Sequence, residues 1–194
     1  MGNLVSIILA AGKASRMGAP KQLLPYGGKT VIEKMVELTT TLPNTRTLVV
    51  TGAYQKEVEV KLLSYPVGFI YNSNWQTGMG SSIAACVNAA EKENPDGVII
   101  ILADQLAIQK EHLMGLIETF YQKNEQYCVC SFYKKIKGVP ALFPKHWFGF
   151  LKNLTGDQGA RKLLNERSKD ALALPLAEAA IDIDTPKDWQ DFIS

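Results

Sequence analysis

Cysteine is scarce, histidine scarcer, and no apolar run approaches the length of a membrane span. The three cysteines, Cys86, Cys128 and Cys130, are too few and too oddly numbered for a disulfide framework, which points to a reducing compartment. Cys128 and Cys130 fall on one face of a strand. With no further Cys or His beside them, core packing explains the pair better than a metal does. The two histidines, His112 and His146, belong to no recognisable motif and are expected at the surface or at helix ends. Apolar runs stop well short of the roughly 20 residues that a spanning helix needs, and no charged segment followed by an apolar one opens the chain. A cytoplasmic protein with no membrane partner is expected. "MGNLVS" satisfies the myristoylation pattern, but burial of Leu4, Val5 and Ile7 in a strand accounts for those residues. "NLT" at Asn153 is likewise a sequon without consequence if the chain is never secreted. The net charge is only +2, so no global field recruits nucleic acid, and any affinity for anions must be local. Repeats, low-complexity tracts and linkers are also missing. A single domain over 1–194 is predicted, large enough to bury about 70% of its unfolded surface.

What is present is alternation. Strand-like runs rich in branched residues at 3–10, 45–52, 67–72, 97–103, 127–133 and 179–183 are separated by helical patterns at 30–41, 54–64, 81–93, 109–122 and 157–167. A last helix, "PKDWQDFI", closes the chain. The order predicts an α/β fold with a mostly parallel sheet covered on both faces. "VIIIL" agrees, because a continuous apolar run suits a strand buried on both sides. Pro/Gly clusters at 25–28 and 138–144 are expected to be loops. In such sheets ligands bind at the carboxyl ends of the strands. Three sets of residues should leave those ends: Gly12 with its cations, Asp104, and Asp184 after "AAIDI".

"LAAGKASRMGAPKQLLP" (9–25) is the most informative stretch. Ala10, Ala11 and Gly12 carry little bulk, so the backbone there can approach a ligand and aim N–H groups at phosphate oxygens. Arg16 adds a planar fork and Lys21 a movable charge. At about 4 Å and an effective dielectric near 20, each cation–phosphate contact is worth roughly 4 kcal/mol before desolvation. A polyphosphate justifies such a loop; a solvated basic connection is the alternative. The spacing is not GxGxxG, so a dinucleotide-dependent reductase lacks its fingerprint. "GGKT" at Gly27–Thr30 ends like a P-loop but has Leu23 where a glycine is needed.

The carboxylates read in the same double way. Asp104, ending an apolar strand, is either a turn-former or a metal ligand. In "DIDTPKDW", Thr185, Pro186 and Asp188 make an ordinary helix start, which leaves Asp182 and Asp184 unexplained by the cap. One carboxylate from each of two strand ends, with phosphate oxygens and water, suits Mg²⁺. Asp157 is either a helix N-cap or an acceptor contact. Arg161 is either a solvent-facing helix residue or a phosphate ligand.

The first loop closely resembles the signature of the MobA-like nucleotidyltransferases, LAAGxSxRMGxxKxLLP, above all the molybdenum cofactor cytidylyltransferase branch. "NWQTGMGSSI" (74–83), "LADQ" (102–105), "GVPALF" (138–143), "TGDQGARKLL" (155–164) and "DIDTPKDW" (182–189) continue the resemblance in order over nearly the whole chain. It implies a three-layer α/β/α nucleotide-diphospho-sugar transferase fold. It also implies a nucleoside triphosphate, CTP or another NTP, bound by Ala10, Ala11, Gly12, Arg16 and Lys21, with Gly80, Ser81 and Ser82 beside the base and ribose. Asp104 and Asp184 are the implied Mg²⁺ ligands, and Asp182 is second to them or plain surface. Arg16, Lys21 and Asp104 are the implied catalytic residues. Asp157 and Arg161 lie on the acceptor side, where molybdopterin cofactor is the implied substrate and a molybdenum hydroxylase the client. The expected chemistry is attack by a terminal phosphate on the α-phosphorus of CTP with loss of pyrophosphate. A phosphate already carries about −1.5 to −2 charge, so no protein base is required. The same fold acting with GTP or a sugar phosphate is the alternative, as is a non-catalytic accessory protein. Leu106 departs from the branch pattern, which has proline there, and a looser loop is expected.

Overall fold

Alternation along the strands decides the layers. Val5 and Ile7 point to one face of the sheet while Leu4 and Ile8 point to the other, and Val98 with Ile100 alternates in the same way with Ile99 and Ile101. All are fully or almost fully buried, which is why these strands carry apolar residues on both faces. Each such side chain contributes roughly 1.5–3 kcal/mol relative to exposure.

The structure, a computed structural model, describes residues 2–14, 17–181 and 183–193. In chain order its elements are β1 (Leu4–Leu9), the short hairpin strands β2 (Pro25–Tyr26) and β3 (Lys29–Thr30), α1 (Val31–Thr40), β4 (Thr45–Thr51), α2 (Gln55–Lys61), β5 (Val67–Tyr71), α3 (Met79–Ala90), β6 (Gly97–Leu102), α4 (Lys110–Gln122), β7 (Cys128–Tyr133), β8 (Ile136–Pro144), α5 (Phe148–Lys152), α6 (Ala160–Glu166), β9 (Ala171–Pro175) and α7 (Pro186–Ile193). A seven-stranded sheet has the order β5-β4-β1-β6-β8-β7-β9. Strands β5, β4, β1 and β6 are mutually parallel, β8 runs antiparallel to both neighbours, and β9 is parallel to β7. Helices α3, α5 and α6 cover one face, and α1, α2 and α4 the other. This is the expected three-layer α/β/α architecture with a mostly parallel sheet. Among the described residues, no helix is long and apolar enough to cross a membrane.

Two expectations need correction. Residues 138–144 are not a loop but the larger part of β8, with a register shift opposite Cys130 and Ser131. Gly138 and Pro140 look like loop residues because Pro cannot donate to a ladder, but such a shift is where sheets admit it. The described residues of 179–183 form no strand either. A 3-10 turn spans Ala177–Ala180, and β9 has already taken the place beside β7. Asp184 therefore does not leave a strand end; it is delivered by the segment entering α7. Cys128 and Cys130 are core residues. Burial pushes both thiols up, that of Cys130 to about 11, so neither is a ready metal ligand at neutral pH.

Candidate functional site

Because β1 lies between β4 and β6, the loops after all three strands leave one edge together. The loop after β1 is held by its carbonyls. Ala53 N–H donates to Ala11 O (3.0 Å), while Gln22 Nε2 donates to Ala10 O (3.0 Å) and Gly12 O (3.2 Å). In a trans peptide the carbonyl and the following N–H point in opposite directions, so the amides of Ala11, Gly12 and Lys13 point away from those partners. That is the polarity a phosphate needs. Ala10, Ala11, Gly12 and Lys13 line a cavity of about 370 Å³.

Gln22 is the residue that sequence reading missed. It is 2% exposed, and its one amide nitrogen fixes two carbonyls of the loop. No periodicity signals it; its only mark is adjacency to Lys21. Gln22→Leu keeps the bulk and strands both carbonyls, a loss of about 1–3 kcal/mol. Nucleoside triphosphate binding is expected to weaken about tenfold with the circular dichroism spectrum unchanged, as measured by calorimetric titration.

Asp104 and Lys21 line the same cavity, and Asp184 reaches it through Lys21. Asp104, in the turn after β6, is buried, and Lys21 Nζ pairs with Asp104 Oδ2. The same nitrogen lies 3.2 Å from Asp184 Oδ1 and donates to Ile183 O at 3.5 Å. Burial alone would lower the Lys21 pKa. The Asp104 carboxylate, followed by that of Asp184, outweighs it and holds the ammonium above its usual value. Two carboxylates from distant parts of the chain thus face one cationic position, and their hard oxygen donors fit a divalent ion such as Mg²⁺. Arg16 and Asp182 lie outside the described residues.

The wall opposite is made by the segment 75–82. Gly78, Met79 and Ser82 line the cavity together with Trp75. Asn72 Nδ2 donates to both Ser81 Oγ and Ser82 Oγ at 2.9 Å. Ser81 lies within reach of Gly78 O (2.9 Å) and Asn74 O (3.0 Å), so its hydroxyl serves the loop. Gly80 is buried against residues 154–156, and its N–H donates to Gly156 O at 2.9 Å. Of the three residues expected beside the base and ribose, Ser82 reaches the cavity while Gly80 and Ser81 shape its wall.

Asp157 lines the cavity and also an adjoining open depression of about 480 Å³ that Arg161 borders. Asp157 does not cap α6; Gly159 occupies the N-cap position. Gln105, 1% exposed, accepts from Leu102 N–H (3.1 Å) and donates to Val139 O (2.9 Å), tying the Asp104 turn to β8. Leu106 packs against the α4-side core. The looseness expected from the missing proline is therefore countered by buried hydrogen bonds and apolar contact. His112 sits at the start of α4, where its Nδ1 accepts from Gln109 N–H at 3.1 Å, and His146 lies in a 3-10 turn.

The MobA-like NTP transferase domain family matches residues 6–171. Purine catabolism protein PucB of Bacillus subtilis (strain 168) is 30% identical over 198 residues, covering 96% of this chain and 94% of PucB. The crystal structure of Rv0371c of Mycobacterium tuberculosis H37Rv in complex with manganese superimposes with a TM-score of 0.79 at 21% identity, over 98% of each chain. Molybdopterin-guanine dinucleotide biosynthesis protein A of Archaeoglobus fulgidus does so with a TM-score of 0.71 at 18% identity, over 97% of this chain and 96% of that one. These two structures share the nucleotide-diphospho-sugar transferase fold with this chain.

Proposed function

The chain belongs to the MobA-like NTP transferase family and is a nucleotidyltransferase of that type, and on that premise we propose that it transfers CMP from CTP to the terminal phosphate of molybdopterin cofactor, with Mg²⁺ as the metal. One observation carries the reading: Lys21 meets both Asp104 and Asp184, and Lys21 and Asp104 line one cavity together with Ala10, Ala11 and Gly12. The branch motifs "GMGSS" and "GDQGAR" support the acceptor. A protein of the same fold, Rv0371c, takes manganese.

On this reading the amides after β1 and the Lys21 ammonium hold the triphosphate, with Arg16 as a further cation. Asp104 and Asp184 hold Mg²⁺, which when bound neutralises phosphate charge and orients the α-phosphoryl group. Asp157 and Arg161, on the side of the adjoining depression, receive the acceptor. An oxygen of the acceptor phosphate forms the new bond to the α-phosphorus, the α–β bridge breaks, and pyrophosphate leaves with that electron pair. The chain contributes positioning and charge rather than a base, consistent with histidines placed at a helix start and in a turn. A client molybdenum hydroxylase would consume the dinucleotide.

The test is incubation with molybdopterin cofactor, Mg²⁺ and each labelled NTP in turn, followed by identification of the product. Cytidine dinucleotide and stoichiometric pyrophosphate are expected. A strong GTP preference overturns the cytidylyl assignment, turnover of a sugar 1-phosphate instead overturns the acceptor, and tight cofactor binding without turnover makes the chain an accessory protein.

A further inference from the structure

Asp184 reaches Lys21 from a segment that belongs to no sheet, so something else must hold it there. The residue before it, Ile183, is 2% exposed and anchors the chain on that side. The residues after it enter α7, whose eight residues include none that is buried. A helix this short is not stable by itself. Its first turn is locked by Asp188, whose Oδ2 accepts from the N–H groups of Asp184 (3.2 Å) and Thr185 (2.8 Å) and from the Thr185 hydroxyl (2.8 Å). The backbone of Asp184 is thereby part of the helix cap.

The helix in turn is docked by aromatic rings. Trp189 and Phe192 on α7 lie 6.0 and 5.5 Å from the ring of Tyr26, centroid to centroid, and the Trp189–Tyr26 pair meets edge to face. Tyr26 sits in the β2–β3 hairpin, immediately beyond the 3-10 turn that begins with Lys21. Such pairs contribute beyond the area they bury. Both partners of the Lys21–Asp184 contact are thus tied to one surface clasp, separate from the β6 turn that fixes Asp104.

We propose that the Tyr26–Trp189–Phe192 clasp is the positioning device for the second metal-binding carboxylate, so that Trp189 and Tyr26 set divalent-cation affinity without touching the cation. This rests on the assignment of Asp184 to the metal made above. Residues that orient a ligand from outside typically change metal affinity 10–100-fold when removed. Loss of Trp189 frays α7, frees the Asp184 amide from Asp188, and leaves Asp104 alone at its place.

The experiment is titration with Mn²⁺ alone, followed by electron paramagnetic resonance, on wild type, Trp189→Ala, Trp189→Phe, Tyr26→Leu and Asp184→Asn, together with the Mg²⁺ dependence of turnover. Trp189→Ala and Tyr26→Leu are expected to weaken Mn²⁺ binding about tenfold and to raise the half-saturating Mg²⁺ by the same factor, with kcat recovered at high Mg²⁺. Trp189→Phe, which keeps an aromatic face toward Tyr26, should restore wild-type affinity. Should Trp189→Ala fail to fold, Tyr26→Leu decides alone. Unchanged Mn²⁺ affinity in that variant, with Asp184→Asn impaired, overturns the clasp and spares the metal assignment. Unchanged affinity in Asp184→Asn overturns the assignment itself.

Discussion

Asp104→Asn is expected to lower turnover at saturating Mg²⁺ and nucleotide by at least about 10³-fold, the upper range for removing one preorganised charge-stabilising group, with the fold intact. The substitution is nearly isosteric, so β6 and its apolar neighbours have no reason to move. What disappears is the negative charge at the one carboxylate that the buried sheet itself positions. Asp104 is 7% exposed and is fixed by the turn that Gln105 ties to β8. Lys21 keeps Asp184 and the amide oxygen that replaces the carboxylate as acceptors, so the stability lost is that of one charge-assisted contact at a largely buried site, where the Lys21 and Asp104 side chains are 24% and 9% exposed, about 1–3 kcal/mol. The melting temperature should fall by about 2–12 °C. Pyrophosphate release and a thermal melt on one preparation check both halves. A wild-type rate would remove Asp104 from the metal and leave it as a partner of Lys21.

The legible parts of this molecule were those in which neighbours in sequence are neighbours in space. The β1 loop announced itself because small residues, glycines and cations crowd one short stretch after an apolar strand. The α7 start was equally plain, since a capping box is local: Thr185, Pro186 and Asp188 behave as their spacing demands. The misreadings concern pairing between distant segments. "ALALP" (171–175) became a strand because β7 offered an edge, a fact that resides in Cys128–Phe132 and not in those five residues. "AAIDI" alternates as a strand should, yet the place beside β7 had gone to β9. Gln22 and the aromatic clasp were invisible for the same reason. A glutamine that clamps two carbonyls and a tryptophan that meets Tyr26 leave no periodic trace. Asp184 was singled out by motif resemblance, whereas its route to Lys21, through a helix cap rather than a strand end, rests on contacts that leave no local mark.

Gly78→Ala is expected to be the most damaging small substitution in the cavity wall. Gly78 has φ +112° and ψ 177°, a region open essentially to glycine alone and costing about 1–3 kcal/mol for other residues. A methyl group there would also stand 2.3 Å from the carbonyl carbon and oxygen of Gly156 and 2.6 Å from the nitrogen of Asp157. These are backbone atoms, so no rotamer change relieves the contact. Together the two effects should cost about 3 kcal/mol or more, lowering the melting temperature by about 6–12 °C. The functional loss follows from where the strain is released. Gly78 and Asp157 line the same cavity from two different loops, and forcing them apart displaces the Ser82 wall from the β1 loop that faces it. Triphosphate affinity should therefore fall more than tenfold in molecules that are still folded. Gly115→Ala is the matched control. It lies within α4 with nothing within 4 Å of the added carbon, and it should leave binding unchanged while stabilising the helix by up to about 1 kcal/mol. Wild-type melting and binding for Gly78→Ala would mean that the two loops part without cost, and the cavity would then have no fixed wall on that side.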